Sequence, residues 1–121
     1  MIEDDLRTLL SPVTDVSIYS RLIPAGMPEC IMIQEIGGRA SGAGIRRNYR
    51  TVAIMSCSSD RETAGRRMRE ARDYLIEHLP AKINGTHYYT AEALADGSLF
   101  MKSASGPKYV VSVDMEVDCS L

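Results

Sequence analysis

The chain has 121 residues, of which 45% are apolar, and it carries 14 Lys and Arg against 16 Asp and Glu for a formal net charge of −2. This length predicts a single domain over residues 1–121, large enough to form a core without a disulfide or a structural metal. The nearly balanced charge argues against a dedicated nucleic-acid-binding protein, which normally has a clear excess of Lys and Arg.

The cysteines and the first residues indicate a protein made in a cytosol. Cys30, Cys57 and Cys119 are widely spaced and form no Cys-x-x-Cys pair, so we expect reduced, buried thiols. The first five residues include three acids, where a secretory signal would be basic. No apolar run approaches the roughly 20 residues that span a bilayer, so we expect no membrane partner.

The first half of the chain predicts one helix and three strands around a glycine-rich loop. Acidic residues in the first turn favour a helix over Ile2–Leu10. Loose alternation predicts a weak strand over Val16–Ile23, and the apolar run Cys30–Ile33 predicts a buried strand. The four glycines within Gly37–Arg47 predict a long flexible loop, and the chain is strand-like again over Arg47–Cys57.

A long helix is predicted over Asp60–Leu79. Ser59 is the expected N-cap, with Glu62 three residues later completing a capping box, and Pro80 blocks continuation of the helix. Its apolar residues recur at helical spacing and predict one face packed on a sheet. They are Ala64, Met68, Ala71, Leu75 and Leu79.

The remainder of the chain predicts hairpin-linked strands. Asn84-Gly85 favours a type I′ turn. Turns at Asp96-Gly97 and Ser105-Gly106-Pro107 are expected to separate three strands. Those strands are predicted over Thr86–Ala93, Leu99–Lys102 and Lys108–Cys119.

The last strand has the clearest pattern in the chain. Its odd-numbered residues from Tyr109 to Val117 are apolar, whereas Asp114, Glu116 and Asp118 alternate with them, which predicts one buried and one solvated face. We expect the buried face to form a core with Met68 and Leu75. The predicted fold class is α+β, a mostly antiparallel sheet with the N-terminal helix and one long helix packed on it.

The residue patterns predict no catalytic, cofactor-binding or metal-binding residue. The glycine-rich segment lacks the Lys and the Ser or Thr of a phosphate-binding loop. Alternate carboxylates on one strand lie about 6.6 to 6.8 Å apart, too far for Asp114, Glu116 and Asp118 alone to share one ion. A Cys57–His87 pair has no local signature that would activate the thiol. The chain is therefore interpreted as a binding or assembly protein, not an enzyme.

The order of these elements resembles the tail terminator, or minor capsid, proteins of long-tailed bacteriophages. The resemblance rests on the strand at residues 28–38, the variable glycine-rich loop, the strand ending at Cys57, the helix Asp60–Leu79 and the final strand from Tyr109 to Asp118. It implies a ring, typically a hexamer, that caps the tail tube, ends its growth and presents the surface that joins the head.

The resemblance also implies where the protein acts. It would be assembled in the host cytoplasm, lie at the head-proximal end of the virion tail, and contact the tail tube protein and a neck or head-completion protein. We expect Arg39, Arg46, Arg47 and Arg50, in and beside the loop, to contact a neighbouring protein, because guanidinium groups suit carboxylates.

The acidic strand face has a corresponding role in a ring. The row of Asp114, Glu116 and Asp118 is expected to face the channel, where like-charge repulsion lets genomic DNA pass without specific binding. Two alternatives stay open. One is a head-completion or neck connector protein, and the other is a small cellular ligand-binding or regulatory domain.

Overall fold

Two helices and six strands make up the part of the chain that the structure describes. The computed structural model describes the backbone of residues 2–20, 29–40, 47–103 and 106–120, and the side chains of residues 2–20, 29–38, 48–94 and 109–120. The helices are α1 (Ile2–Leu10) and α2 (Arg61–His78). The strands are β1 (Ile18–Ser20), β2 (Cys30–Ala40), β3 (Arg47–Ser58), β4 (Ala81–Ile83), β5 (Thr86–Ser103) and β6 (Gly106–Ser120).

The strands form one sheet in the order β1-β2-β3-β6-β5-β4. Every neighbouring pair is antiparallel except β1 and β2, which run parallel. Helix α2 packs on β3 and β6, and α1 packs on β1 and β2. The predicted α+β class, with a mostly antiparallel sheet and two helices packed on it, is confirmed. Within the described residues, no helix is long and apolar enough to cross a membrane.

One apolar core lies between the helices and the sheet. Leu6 and Leu10 of α1 and Leu75 of α2 are fully buried, and Met68 is 4% exposed. Burying a Leu side chain stabilises a fold by roughly 1.5 to 3 kcal/mol, so this layer is a main source of stability. The predicted contact between the long helix and the odd-numbered face of the last strand is confirmed. That face contributes the fully buried residues Val113, Met115 and Val117.

The glycine-rich stretch begins as a strand, so its prediction as a loop from Gly37 onward is wrong. Gly37 and Gly38 continue β2 and pair with Thr51 and Arg50 of β3. A Cβ atom on Gly38 would lie 2.7 Å from the backbone oxygen of Tyr49. Glycine therefore permits a close approach of two strands here. The remaining loop residues 41–46 lie outside the described part of the chain.

Strand β5 also runs farther than its sequence predicts. A turn at Asp96-Gly97 is wrong, because both residues stay in the ladder and pair with Val113 and Ser112 of β6. Pairing with a long neighbouring strand outweighs the local turn preference. Gly106, predicted as turn, opens β6, while residues 104 and 105 lie outside the described chain.

The N-cap of α2 is Asp60, so the prediction of Ser59 is wrong. The Asp60 carboxylate accepts a hydrogen bond from the Thr63 backbone N–H at 3.2 Å, as an N-cap side chain does. Ser59 instead donates its backbone N–H to Glu29 at 2.8 Å. The Asn84-Gly85 turn is confirmed by positive φ angles of 48° and 82°, and it joins β5 to the short strand β4, which the sequence did not predict.

Candidate functional site

The acidic row of β6 lies on the sheet face opposite the helices. Asp114 and Glu116 are half-buried, and Glu92 of β5 is exposed directly opposite Glu116. We call Glu92, Asp114 and Glu116 the acidic face. Two like charges opposite each other disfavour the sheet slightly, so an acidic surface here carries an energetic cost.

Asp118 does not belong to a solvated surface, and its prediction there is wrong. Its side chain is only 7% exposed. The strand register places it between Tyr49 of β3 and Thr90 of β5. Within the described part of the chain, no three Asp, Glu, His or Cys side chains are placed so that they could hold a metal ion.

The arginines predicted to contact a partner lie at one end of the sheet, as far as the structure describes them. Arg39 pairs with Tyr49 in the β2–β3 ladder, and Arg47 pairs with Ser120 of β6. The side chains of Arg39 and Arg47, and the whole of Arg46, lie outside the described part of the chain. Their role in partner binding stays a prediction.

Arg50 already has a partner within the chain. Its Nη1 donates a hydrogen bond to Oε2 of Glu35 at 2.6 Å, and this bond raises the Arg50 pKa above its ordinary value. Its side chain is 43% exposed, so an incoming carboxylate would compete with Glu35 for the guanidinium.

A buried polar contact that the sequence patterns do not predict lies beside this pair. The Tyr88 hydroxyl donates to the Asp5 carboxylate, which is 3% exposed and also accepts from Asn84 Nδ2 at 2.8 Å. Burial and the hydrogen bond to Asp5 raise the Tyr88 pKa, so the hydroxyl keeps its proton. A signal was available: Asp5 stands at helical spacing between Ile2 and Leu9, on the buried side of α1.

Arg67 on α2 is 8% exposed and pairs with two carboxylates. Its Nε donates to Asp15 at 3.0 Å and its Nη1 donates to Glu29 at 2.9 Å. Glu29 also accepts from the Ser58 hydroxyl at 2.7 Å and from the Ser59 backbone N–H. This Arg67 network, defined by Arg67, Asp15, Glu29 and Ser58, links α2 to the segment before β1, the start of β2 and the end of β3.

The charges of the Arg67 network stabilise one another. The hydrogen bond from Arg67 lowers the pKa of Asp15. Burial opposes the charged form of Glu29, yet hydrogen bonds from Ser58, Ser59 and Arg67 together lower its pKa. Such charge-assisted hydrogen bonds hold a fold together but transfer no proton near neutral pH. The network is structural.

The strand register excludes a catalytic pair of Cys57 and His87. Cys57 is opposite Val110 of β6, whereas His87 lies beyond the Tyr88–Cys119 pair at the other end of that strand. Nine residues along a strand separate them by about 30 Å, so the thiol and the imidazole never meet. The predicted burial of all three cysteines is confirmed, and burial raises the pKa of the Cys119 thiol.

Comparisons with known proteins give a likeness of fold. No family model and no curated protein matches the sequence. A solved structure described as "Virion of native gene transfer agent (GTA) particle" contains a chain that superposes with a TM-score of 0.56 at 9% sequence identity. The superposition covers 96% of this chain and 84% of that chain. At this identity the comparison shows that the two chains share a fold.

Proposed function

We propose that the chain is a non-enzymatic structural protein of a phage-like virion. The observation that carries this proposal is the fold shared with a chain of a gene transfer agent virion, over 96% of this chain and 84% of the other. A likeness of that extent leaves little of either chain unmatched, so it concerns the whole subunit. Its proposed role is to assemble with other virion proteins.

Within the virion, we assign the chain to a ring that caps the tail tube. The order of elements supports this assignment, because the long helix and the strongly alternating last strand on which the resemblance rests both lie in the described fold. The acidic face supports it as well. A half-buried carboxylate surface on the side away from the helices suits a channel through which DNA must slide without binding.

A gene deletion tests the proposal: the gene for this protein is deleted from a phage-like genome that encodes it, and the particles are inspected. A terminator stops tube growth, so particles without it should carry tubes of uncontrolled length. A neck connector acts after the tube is complete, so its loss should leave tails of normal length that are not joined to heads. Normal, joined particles would contradict both assignments.

A second measurement uses the purified protein. Electron microscopy should show rings of uniform diameter, and such rings added to polymerising tail tube protein should sit at one end of each tube and stop its growth. A small molecule that copurifies at one copy per chain, with no rings, would favour the ligand-binding alternative instead.

A further inference from the structure

Four sulfur-containing side chains meet on two neighbouring strands of the sheet. Cys30 and Met32 lie on β2 with one residue between them, and Met55 and Cys57 have the same spacing in reverse order on β3. Because β2 and β3 are antiparallel, the two pairs align, so that Cys30 is opposite Cys57 and Met32 is opposite Met55. Residues two apart on a strand share a face, so all four side chains lie together. We call them the sulfur quartet.

The sulfur quartet lies on the face of the sheet opposite the helices. Ile31, between Cys30 and Met32, belongs to the core, so its two neighbours face the other way. Cys30 and Cys57 are 0% and 1% exposed, and Met32 is 9% exposed, whereas Met55 is half-buried. The two thiols are therefore shielded from bulk water, while the quartet touches solvent at Met55.

The spacing of the two cysteines is too wide for a disulfide. The Ile31 N–H donates to the Ser17 carbonyl of the preceding segment at 3.0 Å, so the N–H and C=O of Cys30 point the other way, toward β3. Cys30 and Cys57 are thus a hydrogen-bonded pair, with Cβ atoms at the wide end of about 4.5 to 5.5 Å. A disulfide needs Cβ atoms about 3.5 to 4.5 Å apart. Both residues are accordingly thiols in the structure.

A metal ion between the two cysteine sulfurs suits the same spacing. A thiolate–metal bond is about 2.3 Å long, so two sulfurs on opposite sides of an ion lie up to about 4.6 Å apart. Methionine is long, unbranched and flexible, so the thioethers of Met32 and Met55 can reach an ion at the neighbouring cysteine row. Zinc is bound by Cys, His and carboxylates, whereas thiolates together with thioethers select Cu(I).

We propose that the sulfur quartet binds one Cu(I) ion, with Cys30 and Cys57 as thiolate ligands and Met32 and Met55 as additional thioether ligands. Binding forms the metal–sulfur bonds and releases the thiol protons to water. Copper stays Cu(I) throughout, so the step needs no oxidant or reductant. The site lies within one chain and does not depend on the proposed ring, so its test and the tests of the virion role have independent outcomes.

Competition for Cu(I) against the coloured chelator bathocuproine disulfonate, under anaerobic conditions, tests this site. The wild-type chain should withdraw one Cu(I) per chain from the chelator. Cys30→Ser and Cys57→Ser should each lose the ion to the chelator, because a two-thiolate site needs both sulfurs. Cys119→Ser is the matched control, since Cys119 is also a buried thiol but lies in the core opposite Tyr88, and it should bind as wild type does.

A second pair of variants tests the thioether ligands. Met32→Leu with Met55→Leu conserves volume and removes only the two sulfurs, so the fold should persist and Cu(I) should be held less tightly at the same stoichiometry. Met115→Leu is the control, because Met115 lies in the core, and its affinity should equal that of wild type. X-ray absorption of the copper-loaded wild-type chain needs no variant and should show only sulfur neighbours, at about 2.3 Å.

Three results would overturn the site. The first is a folded wild-type chain that takes no Cu(I) from the chelator. The second is an absorption spectrum with nitrogen or oxygen neighbours, or a loss of binding in Cys119→Ser equal to that in Cys30→Ser. The third is unchanged affinity in the double methionine variant, which would show that Met32 and Met55 are packing groups and not ligands.

Discussion

Arg67 joins four segments of the chain through one guanidinium group. It donates directly to Asp15 and Glu29, and Glu29 in turn holds Ser58 and the backbone of Ser59. Its burial on the apolar stripe of α2 requires these partners, because an unpaired buried charge costs several kcal/mol. The network therefore fixes how α2 sits against the ends of two strands.

Replacing Arg67 should destabilise the fold. Arg67→Met keeps an unbranched, flexible side chain but removes the hydrogen bonds that Arg67 donates to Asp15 and Glu29, and we expect a loss of about 1 to 3 kcal/mol. Arg69→Met is the matched control, since Arg69 is exposed on the same helix and forms no ion pair among the described residues. Urea unfolding of both variants measures the difference. Equal midpoints would show that the network contributes nothing.

The same network predicts loss of stability in acid. The pKa values of Asp15 and Glu29 are lowered in the folded chain, so the unfolded chain binds more protons than the folded one as the pH falls. The stability that these two carboxylates contribute is fully present above their ordinary pKa values, near 4. It is lost as the pH falls through their lower pKa values in the folded chain. Melting temperature measured from about pH 6 to 3 should fall less steeply in Arg67→Met than in wild type or Arg69→Met.

At the scale of elements, Gly38 lies where β2 approaches β3 too closely for a side chain. The space for its Cβ is occupied by the backbone oxygen of Tyr49, 2.7 Å away, whereas nothing lies within 4 Å of a Cβ on Gly37. Gly38→Ala must push β2 away from β3 and should cost about 1 to 3 kcal/mol, as overpacking does. Gly37→Ala should change stability by less than about 0.5 kcal/mol, as most surface substitutions do.

Thermal melts of the two alanine variants check this difference. A lower melting temperature for Gly38→Ala alone supports the close strand contact. Equal melting temperatures would mean that the two strands do not approach so closely at Gly38.

The layer between α2 and β6 gives a further element-scale prediction. Met68→Asp or Val113→Asp places an unpaired charge in the core, which costs several kcal/mol and should unfold a domain of ordinary stability. Ile76→Asp is the control, because Ile76 is 42% exposed on the same helix. Circular dichroism should show loss of the folded state in the first two variants only. Unchanged melting of both core variants would contradict the assigned faces.

The sequence predicts elements well where a pattern is periodic. Helix α1 begins and ends where the pattern places it, and α2 and the alternating β6 are recovered to within a few residues. It fails where a partner strand decides the structure. Gly37 and Asp96 favour loop or turn conformations locally, yet strand pairing holds both in the sheet.

The polar sites are less predictable, because they join residues far apart in the chain. Tyr88 meets Asp5 across 83 positions, and Arg67 meets Asp15 across 52. A charged residue at an apolar helical position is the local signal for both contacts, but the sequence does not say which partner it finds. Asp118 shows the converse, since the alternating strand predicts exposure but the side chain is buried in the folded chain.

At the scale of the whole molecule, the sheet separates two chemically different surfaces. The helices cover one face and bury the core, while Asp114 and Glu116 lie on the other face with Glu92 beside them. Rotational symmetry gives the acidic face of every copy the same position in a ring. In the proposed tail-capping ring, we place that face toward the channel.

Neutralising the acidic face tests its assignment to the channel. Asp114→Asn with Glu116→Gln removes repulsion between the wall and the phosphates, so rings of this variant should retain more double-stranded DNA than wild-type rings at about 0.1 M salt and release it as salt rises further. Glu62→Gln with Glu77→Gln removes the same charge from the helix side, from two exposed carboxylates that form no ion pair among the described residues. Anisotropy of labelled DNA measures binding, with electron microscopy confirming that rings persist. Charge repulsion acts over only about 10 Å at 0.1 M salt, so the effect on DNA binding depends on where the charge is removed. Equal DNA retention by both double variants would show that the acidic face does not line the channel.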